Sequence, residues 1–225
     1  MTGGFSLELK NVRFAYSDNE KRQDFSLYVE HFSPKGCTAL MGENGSGKTT
    51  LGKLAAGVLR PDSGCVLYNG ADIAKRKLGQ IGRCVGYLFQ EPSRQLFTAH
   101  PLTEIAFALE LQGISKSEAE ARAMELLRQF ELEHIIGHTT YTLSRGEKQR
   151  LAIAATMVME PQFFVLDEPT TGLDKRRRNI LVQTLHTLLA KNIGILLISH
   201  DREFADALHA DIRIMDGGRL VDEKA

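Results

Sequence analysis

The sequence predicts an α/β fold: a mostly parallel sheet, an antiparallel β part on its N-terminal side and an inserted helical part. Three observations lead there. Leu7 to Val12 and Phe25 to Val29 alternate apolar and polar residues, as antiparallel strands with one wet face do. Cys37 to Met41, Val85 to Phe89, Phe163 to Leu166 and Ile193 to Ile198 are short, continuous apolar runs, as in strands covered on both faces. Helical segments separate these runs, and between Glu91 and Met159 the pattern is wholly helical.

Taken in order, the two alternating strands precede the first buried strand, which ends at Met41 in a glycine-rich turn. A helix begins near Lys48. In Lys116 to Leu132, Ala119, Ala123, Leu126, Leu127 and Phe130 share one helical face. Ser115 and Glu118 have the spacing of a capping box at its start. Residues 91–159 therefore read as a helical subdomain set into an α/β core made of 1–90 and 160–225, the whole of 1–225 forming one domain. Ile212 to Met215, the turn Asp216-Gly217-Gly218, and Leu220 to Val221 read as a closing hairpin.

Bulk properties narrow the setting. The 28 basic and 28 acidic residues cancel, so net charge supplies no attraction for nucleic acid or a membrane surface. Cys37, Cys65 and Cys84 have no C-x-x-C spacing and read as reduced cytosolic thiols. Each falls in a strand-like run and is expected to be buried. Met1 to Lys10 lacks the basic-then-apolar pattern of a signal peptide. No apolar run approaches the roughly 20 residues needed to span a bilayer, so membrane association is expected only through a partner.

Gly42-Glu43-Asn44-Gly45-Ser46-Gly47-Lys48-Thr49 fits G-x-x-x-x-G-K-[ST], directly after an apolar strand and before a helix. The glycines let the backbone wrap close to phosphates, and the helix start adds its positive dipole end. Lys48 is expected on the β- and γ-phosphates and the Thr49 hydroxyl on Mg²⁺, with Thr50 beside it. The apolar run Phe163 to Leu166 delivers Asp167 and Glu168 to a strand end, where ligands of open α/β sheets bind. Asp167 is expected to hold Mg²⁺, and Glu168 to act as general base toward the attacking water. The core is thus that of a P-loop nucleoside triphosphatase, with ATP and Mg²⁺ as cofactors.

With these motifs in place the chain resembles an ATP-binding-cassette (ABC) ATPase over nearly its whole length. Gln90 resembles the family's Q-loop glutamine. Leu143-Ser144-Arg145-Gly146-Glu147 resembles the signature motif, Thr171-Gly172-Leu173-Asp174 the D-loop, and His200 the switch histidine. Tyr16 stands where the family places an aromatic on adenine. The resemblance implies that two cassettes, identical or different, stack head to tail around two nucleotides. Each nucleotide would touch the Walker motifs of one chain and the Ser144 and Gly146 region of the other. Gln90 would sense Mg²⁺ and the water, and His200 would contact the γ-phosphate.

The usual signature reads Leu-Ser-Gly-Gly-Gln, so Arg145 and Glu147 are departures. Paired with each other they would roughly offset, whereas an unpaired Glu147 would disfavour an anion nearby.

Phe89-Gln90-Glu91-Pro92-Ser93-Arg94-Gln95-Leu96-Phe97, followed by Thr103-Glu104-Ile105-Ala106-Phe107, resembles the Q-loop region of energy-coupling-factor (ECF) transporters. That resemblance implies an importer of vitamins or transition-metal ions. Gln90 to Phe97 would meet integral membrane subunits, with Gln95, Leu96 and Phe97 facing them, and the chain would sit on the cytoplasmic face of the cell membrane. The alternatives are an ATPase of another ABC transporter class, or a soluble ABC ATPase outside transport. No nucleic-acid partner is expected.

Overall fold

The computed structural model describes residues 5–18 and 21–221. Strand β1 (Leu7–Asp18) buries Leu7, Leu9, Val12 and Phe14 and leaves the residues between them largely outward. It pairs antiparallel with β2 (Lys21–Phe32), placing Val12 opposite Val29 and Phe14 opposite Leu27. β4 (Ser63–Tyr68) and β5 (Ala71–Asp72) complete a four-stranded antiparallel sheet in the order β2-β1-β4-β5. Both N-terminal strands extend beyond the alternating segments, and only the backbone of Phe25 is among the described features.

The second sheet contains β3 (Cys37–Met41), β6 (Val85–Leu88), β7 (Phe163–Asp167), β8 (Gly194–Ile198), β9 (Asp211–Asp216) and β10 (Arg219–Val221). Its order is β10-β9-β3-β8-β7-β6. All neighbours run parallel except β10, which returns antiparallel to β9 through Gly217 and Gly218. Every residue of β3, β6 and β7 is buried.

The alternation along these strands divides the core. Leu196 and Ile198 of β8 pack with Leu9, Leu40, Leu51 and Val165, between the sheet, helix α1 (Lys48–Ala55) and the antiparallel part. Ile195 and Leu197 face the other way and pack with Ala123, Leu127, Leu151 and Leu166. A fully buried leucine such as Leu197 contributes about 2–5 kcal/mol on truncation to alanine.

After α2 (Leu78–Gly82) and β6, the chain makes only helical elements until β7: short turns, α3 (Pro101–Glu110), α4 (Lys116–Gln129) and α5 (Arg145–Met157). α6 (Lys175–Ala190) and α7 (Arg202–Ala207) flank β8 in sequence. On α4, Ala119, Ala123, Leu127 and, just past its end, Phe130 are buried, and Leu126 is partly so.

Two expectations need correction. The cap at Ser115 is one-sided: its hydroxyl accepts from the Glu118 N–H, but the Glu118 carboxylate pairs with Arg122 instead of returning. Of the three cysteines only Cys37 is buried, where desolvation pushes its thiol up to about 12 and makes it inert. Cys65 lies on the half-open antiparallel sheet, and Cys84 precedes β6 and bonds the Gln80 carbonyl.

Candidate functional site

Three adjacent strands, β3, β8 and β7, end on one edge of the parallel sheet, and β6 ends beside them. The chain leaves β3 into the Gly42–Thr49 loop, β8 into His200, β7 into Glu168 and β6 toward Gln90. This edge carries a cavity of about 490 Å³ lined by Tyr16, Asn44, Gly45, Gly47, Lys48, Thr49, Thr50, Gln90, Asp167, Glu168 and Ile198. Residues far apart in sequence meet there because parallel strands bring their C-terminal ends to one side.

The loop can follow this path because Gly42 has φ 142°, and a Cβ there would collide with the Met215 carbonyl oxygen. Lys48 is buried and donates from Nζ to the carbonyls of Gly42 at 2.8 Å and Glu43 at 2.7 Å. Desolvation lowers its pKa, while Glu168 and Asp167 nearby pull it back up. Ser46 is buried, with Oγ 3.5 Å from Nζ. Gly42, Glu43 and Ser46 belong to this loop, but they are not among the residues that line the cavity.

Asp167 is 1% exposed. Desolvation raises its carboxyl, opposed by the hydrogen bond to the Thr49 side chain. Its Oδ2 accepts from the Tyr87 hydroxyl at 3.3 Å, and Oδ1 is buried without a partner. Glu168 takes φ 50°, off the strand, which turns its carboxylate along the cavity wall. Oε1 lies 2.9 Å from Nδ1 of His200, and Oε2 is buried and unpartnered. Buried carboxylate oxygens without donors are costly unless a cation or proton meets them.

Tyr16 sits at the cavity mouth, edge-on to Phe14, with its hydroxyl 3.2 Å from Thr50 Oγ1. Ser144 and Gly146 lie outside the cavity, at the start of α5. Ser144 caps that helix, and the Glu147 carboxylate returns the bond to the Ser144 backbone. Gly146 abuts the Gly172 backbone so closely that a Cβ would stand 2.8 Å from its carbonyl oxygen.

Two residues escaped the sequence reading. Tyr87 looked like one more apolar member of β6, yet it bonds Asp167. Gln149, in the run after the signature motif, donates to the Glu168 and Pro169 carbonyls at 3.4 and 3.2 Å, tying α5 to the turn that carries Glu168. Its sign in the sequence is a polar residue on the buried face of a helix.

The ABC transporter family model matches residues 24–171. The chain belongs to this family and is an ABC-type ATPase. It is 37% identical over 215 residues to an ABC transporter ATP-binding protein of Pyrococcus abyssi, covering 95% of this chain and 81% of that one. It is 31% identical over 227 residues to an energy-coupling factor transporter ATP-binding protein of Ligilactobacillus salivarius, covering 99% and 79%. Among solved structures it resembles cbiO1 of Clostridium perfringens, described as part of an ABC transporter complex, with TM-score 0.74 and 29% identity over 96% of this chain and 86% of that one.

In this ABC ATPase the segment after Gln90 differs from the expectation that Gln95, Leu96 and Phe97 all face outward. Gln95 is turned in: its Oε1 accepts from the Phe89 N–H at 3.0 Å, and its Nε2 donates to Thr156 Oγ1 on α5 at 2.8 Å. Leu96 packs against the helical core. Phe97 alone is open, at 62% exposure, edge-on to Phe107. Of the two arrangements open for Arg145 and Glu147, the structure shows the one in which they are not paired with each other. Glu147 bonds Ser144 and His134, and the Arg145 side chain makes no hydrogen bond or ion pair among the described residues.

Proposed function

We propose that this ABC ATPase binds ATP with Mg²⁺ in the cavity and powers an ECF-type importer of vitamins or transition-metal ions. The observation that carries the catalytic part is the pair of buried, unpartnered oxygens, Asp167 Oδ1 and Glu168 Oε2, on residues lining the same cavity as Lys48. Asp167 Oδ1, with the Thr49 hydroxyl bonded to the same carboxylate, suits a hard divalent cation, and Gln90 on the cavity wall would complete its surroundings. Mg²⁺, when bound, supplies neutralisation of the phosphate charge.

The chain's own residues do the rest. Lys48 exchanges the Gly42 and Glu43 carbonyls for the β- and γ-phosphate oxygens. The backbone of Gly42, Glu43, Asn44, Gly45, Ser46 and Gly47 and the start of α1 wrap the phosphates, with Thr50 alongside, and the Tyr16 ring stacks on adenine. Glu168 takes a proton from water as its oxygen attacks the γ-phosphorus and the bond to the bridging oxygen breaks, leaving ADP and phosphate. His200 orients the Glu168 carboxylate and meets the γ-phosphate.

A second cassette, in the simplest form another copy of this chain, stacks head to tail and brings Ser144 and Gly146 to that phosphate. Closure on ATP and reopening after hydrolysis then move the helical subdomain of 91–159, to which Gln95 ties the end of β6. Phe97 is the exposed apolar contact for an integral membrane subunit, which holds the chain at the cytoplasmic face of the membrane. Likeness to the ECF protein of L. salivarius and to cbiO1 supports this transport class. Affinity purification from solubilised membranes tests it. A small integral protein should co-purify, and ribosomes or DNA in its place would overturn the reading.

A further inference from the structure

Glu147 stands where the usual signature has a neutral glutamine, and its surroundings show how a carboxylate is accommodated. Its Oε2 accepts from the Ser144 N–H at 2.8 Å and from the Ser144 hydroxyl at 2.7 Å. Its Oε1 lies 2.9 Å from Nε2 of His134, which comes from the separate helical turn Glu133–Ile135. The Ser144 hydroxyl first, then His134 and the Ser144 N–H, hold the Glu147 carboxyl down at about 2. Glu147 is therefore ionised at neutral pH and only accepts, which makes His134 Nε2 the donor. Of the other charges nearby, Glu133 is engaged with Arg128, Glu131 with Arg176, and Arg150 with the Phe130 carbonyl, whereas the Arg145 side chain makes no hydrogen bond or ion pair among the described residues and does not reach Glu147.

This arrangement has a cost at the start of α5. The one proton of the Ser144 hydroxyl points to Glu147, so an approaching phosphate meets oxygen lone pairs with a carboxylate charge behind them. A donor beyond the Ser144 N–H lets the hydroxyl turn outward while each oxygen of Glu147 keeps a partner. His134 is that donor. A glutamine at this position would need none.

We propose that His134 is a positioning residue of the signature motif, which by donating to Glu147 releases the Ser144 hydroxyl toward the phosphate of the nucleotide held by the second cassette. The inference rests on the two-cassette reading above. It explains why a carboxylate is workable where a neutral amide is usual.

The test uses the full chain carrying Glu168→Gln and reads, by sedimentation, the ATP concentration at half-maximal association. His134→Ala should raise that concentration about two- to fivefold, the range of a partly exposed polar contact. With Glu147→Gln also present, His134→Ala should have no effect. His134→Gln, which keeps a donor, should restore most of the loss and remains informative if the alanine variant folds poorly. Equal shifts with and without Glu147→Gln would make His134 merely structural and overturn the proposal, as would no shift in either. If the chain does not associate with ATP at all, or Ser144→Ala leaves association unchanged, the two-cassette reading itself fails and the inference falls with it.

Discussion

Nδ1 of His200 lies 2.9 Å from Oε1 of Glu168, joining the ends of the neighbouring strands β8 and β7. The imidazole is otherwise exposed, while the carboxylate is held against the cavity wall with its second oxygen unpartnered. The histidine thus leaves Oε2 as the unpartnered oxygen of Glu168, the one that would meet water in the proposed mechanism. His200→Ala should lower steady-state ATP turnover by about 10²-fold or more, the usual scale for disabling positioned acid–base chemistry. Glu168→Gln should do the same. Binding of an ATP analogue, read by calorimetry, should change far less in both variants, because Lys48 and the phosphate loop are untouched. A parallel loss of binding and turnover would mean that His200 acts chiefly through its phosphate contact and not through Glu168.

The Glu147 carboxyl supplies a pH prediction. It is held at about 2 in the fold, against an ordinary value of 4.5. A lowered folded value stabilises the protein above pH 4.5, and that contribution fades as pH falls from 4.5 toward 2. Glu147→Gln should therefore cost roughly 1 kcal/mol at neutral pH, after allowing for solvent screening. The difference from the parent chain should vanish in denaturation curves near the acid end of that window. A difference independent of pH would mean that loss of the helix cap, not charge, sets the cost.

The contrast between Gln95 and Phe97 separates an internal tie from an outward contact. Gln95→Ala breaks the bonds to the Phe89 N–H and Thr156, and should destabilise the chain by about 1–3 kcal/mol in urea unfolding. Phe97→Ala should shift stability by well under half of that, since the ring is mostly exposed, but should weaken co-purification with the membrane subunit. The reverse pattern would return Gln95 to the surface role and remove Phe97 from it.

The fold was legible because its strands differ in burial. Continuous apolar runs at β3, β6, β7 and β8 and alternation in β1 and β2 separated a parallel sheet from an antiparallel one before any coordinates. The phosphate loop, Asp167 and Glu168 were legible because each follows or ends an apolar strand of the parallel sheet, whereas Gln90 and Tyr16 were read through the family resemblance; Gln90, Tyr16, Lys48, Asp167 and Glu168 line one cavity. His200, after β8, was also read through the resemblance; it does not line the cavity but bonds Glu168, which does. What the sequence hid was direction and partnership. Gln95 and Phe97 are two residues apart in an irregular turn with no period to say which side chain turns inward. Tyr87 is hidden because a tyrosine in a buried strand reads as apolar until an acceptor is placed at its tip. The pairing of Glu147 with His134 joins two elements whose packing no spacing rule supplies.

Each ATP site is predicted to need a second cassette, and complementation between two inactive chains reads this out. Lys48→Ala disables the phosphate loop and Ser144→Ala disables the signature motif, so each variant alone should lack turnover. Mixed chains stacked head to tail would hold one site carrying both defects and one site carrying neither. ATP hydrolysis, measured as phosphate release, should appear on mixing the two inactive chains and reach a substantial fraction of the parent rate. A mixture as inactive as its components, or a Ser144→Ala chain with full turnover by itself, would contradict the prediction.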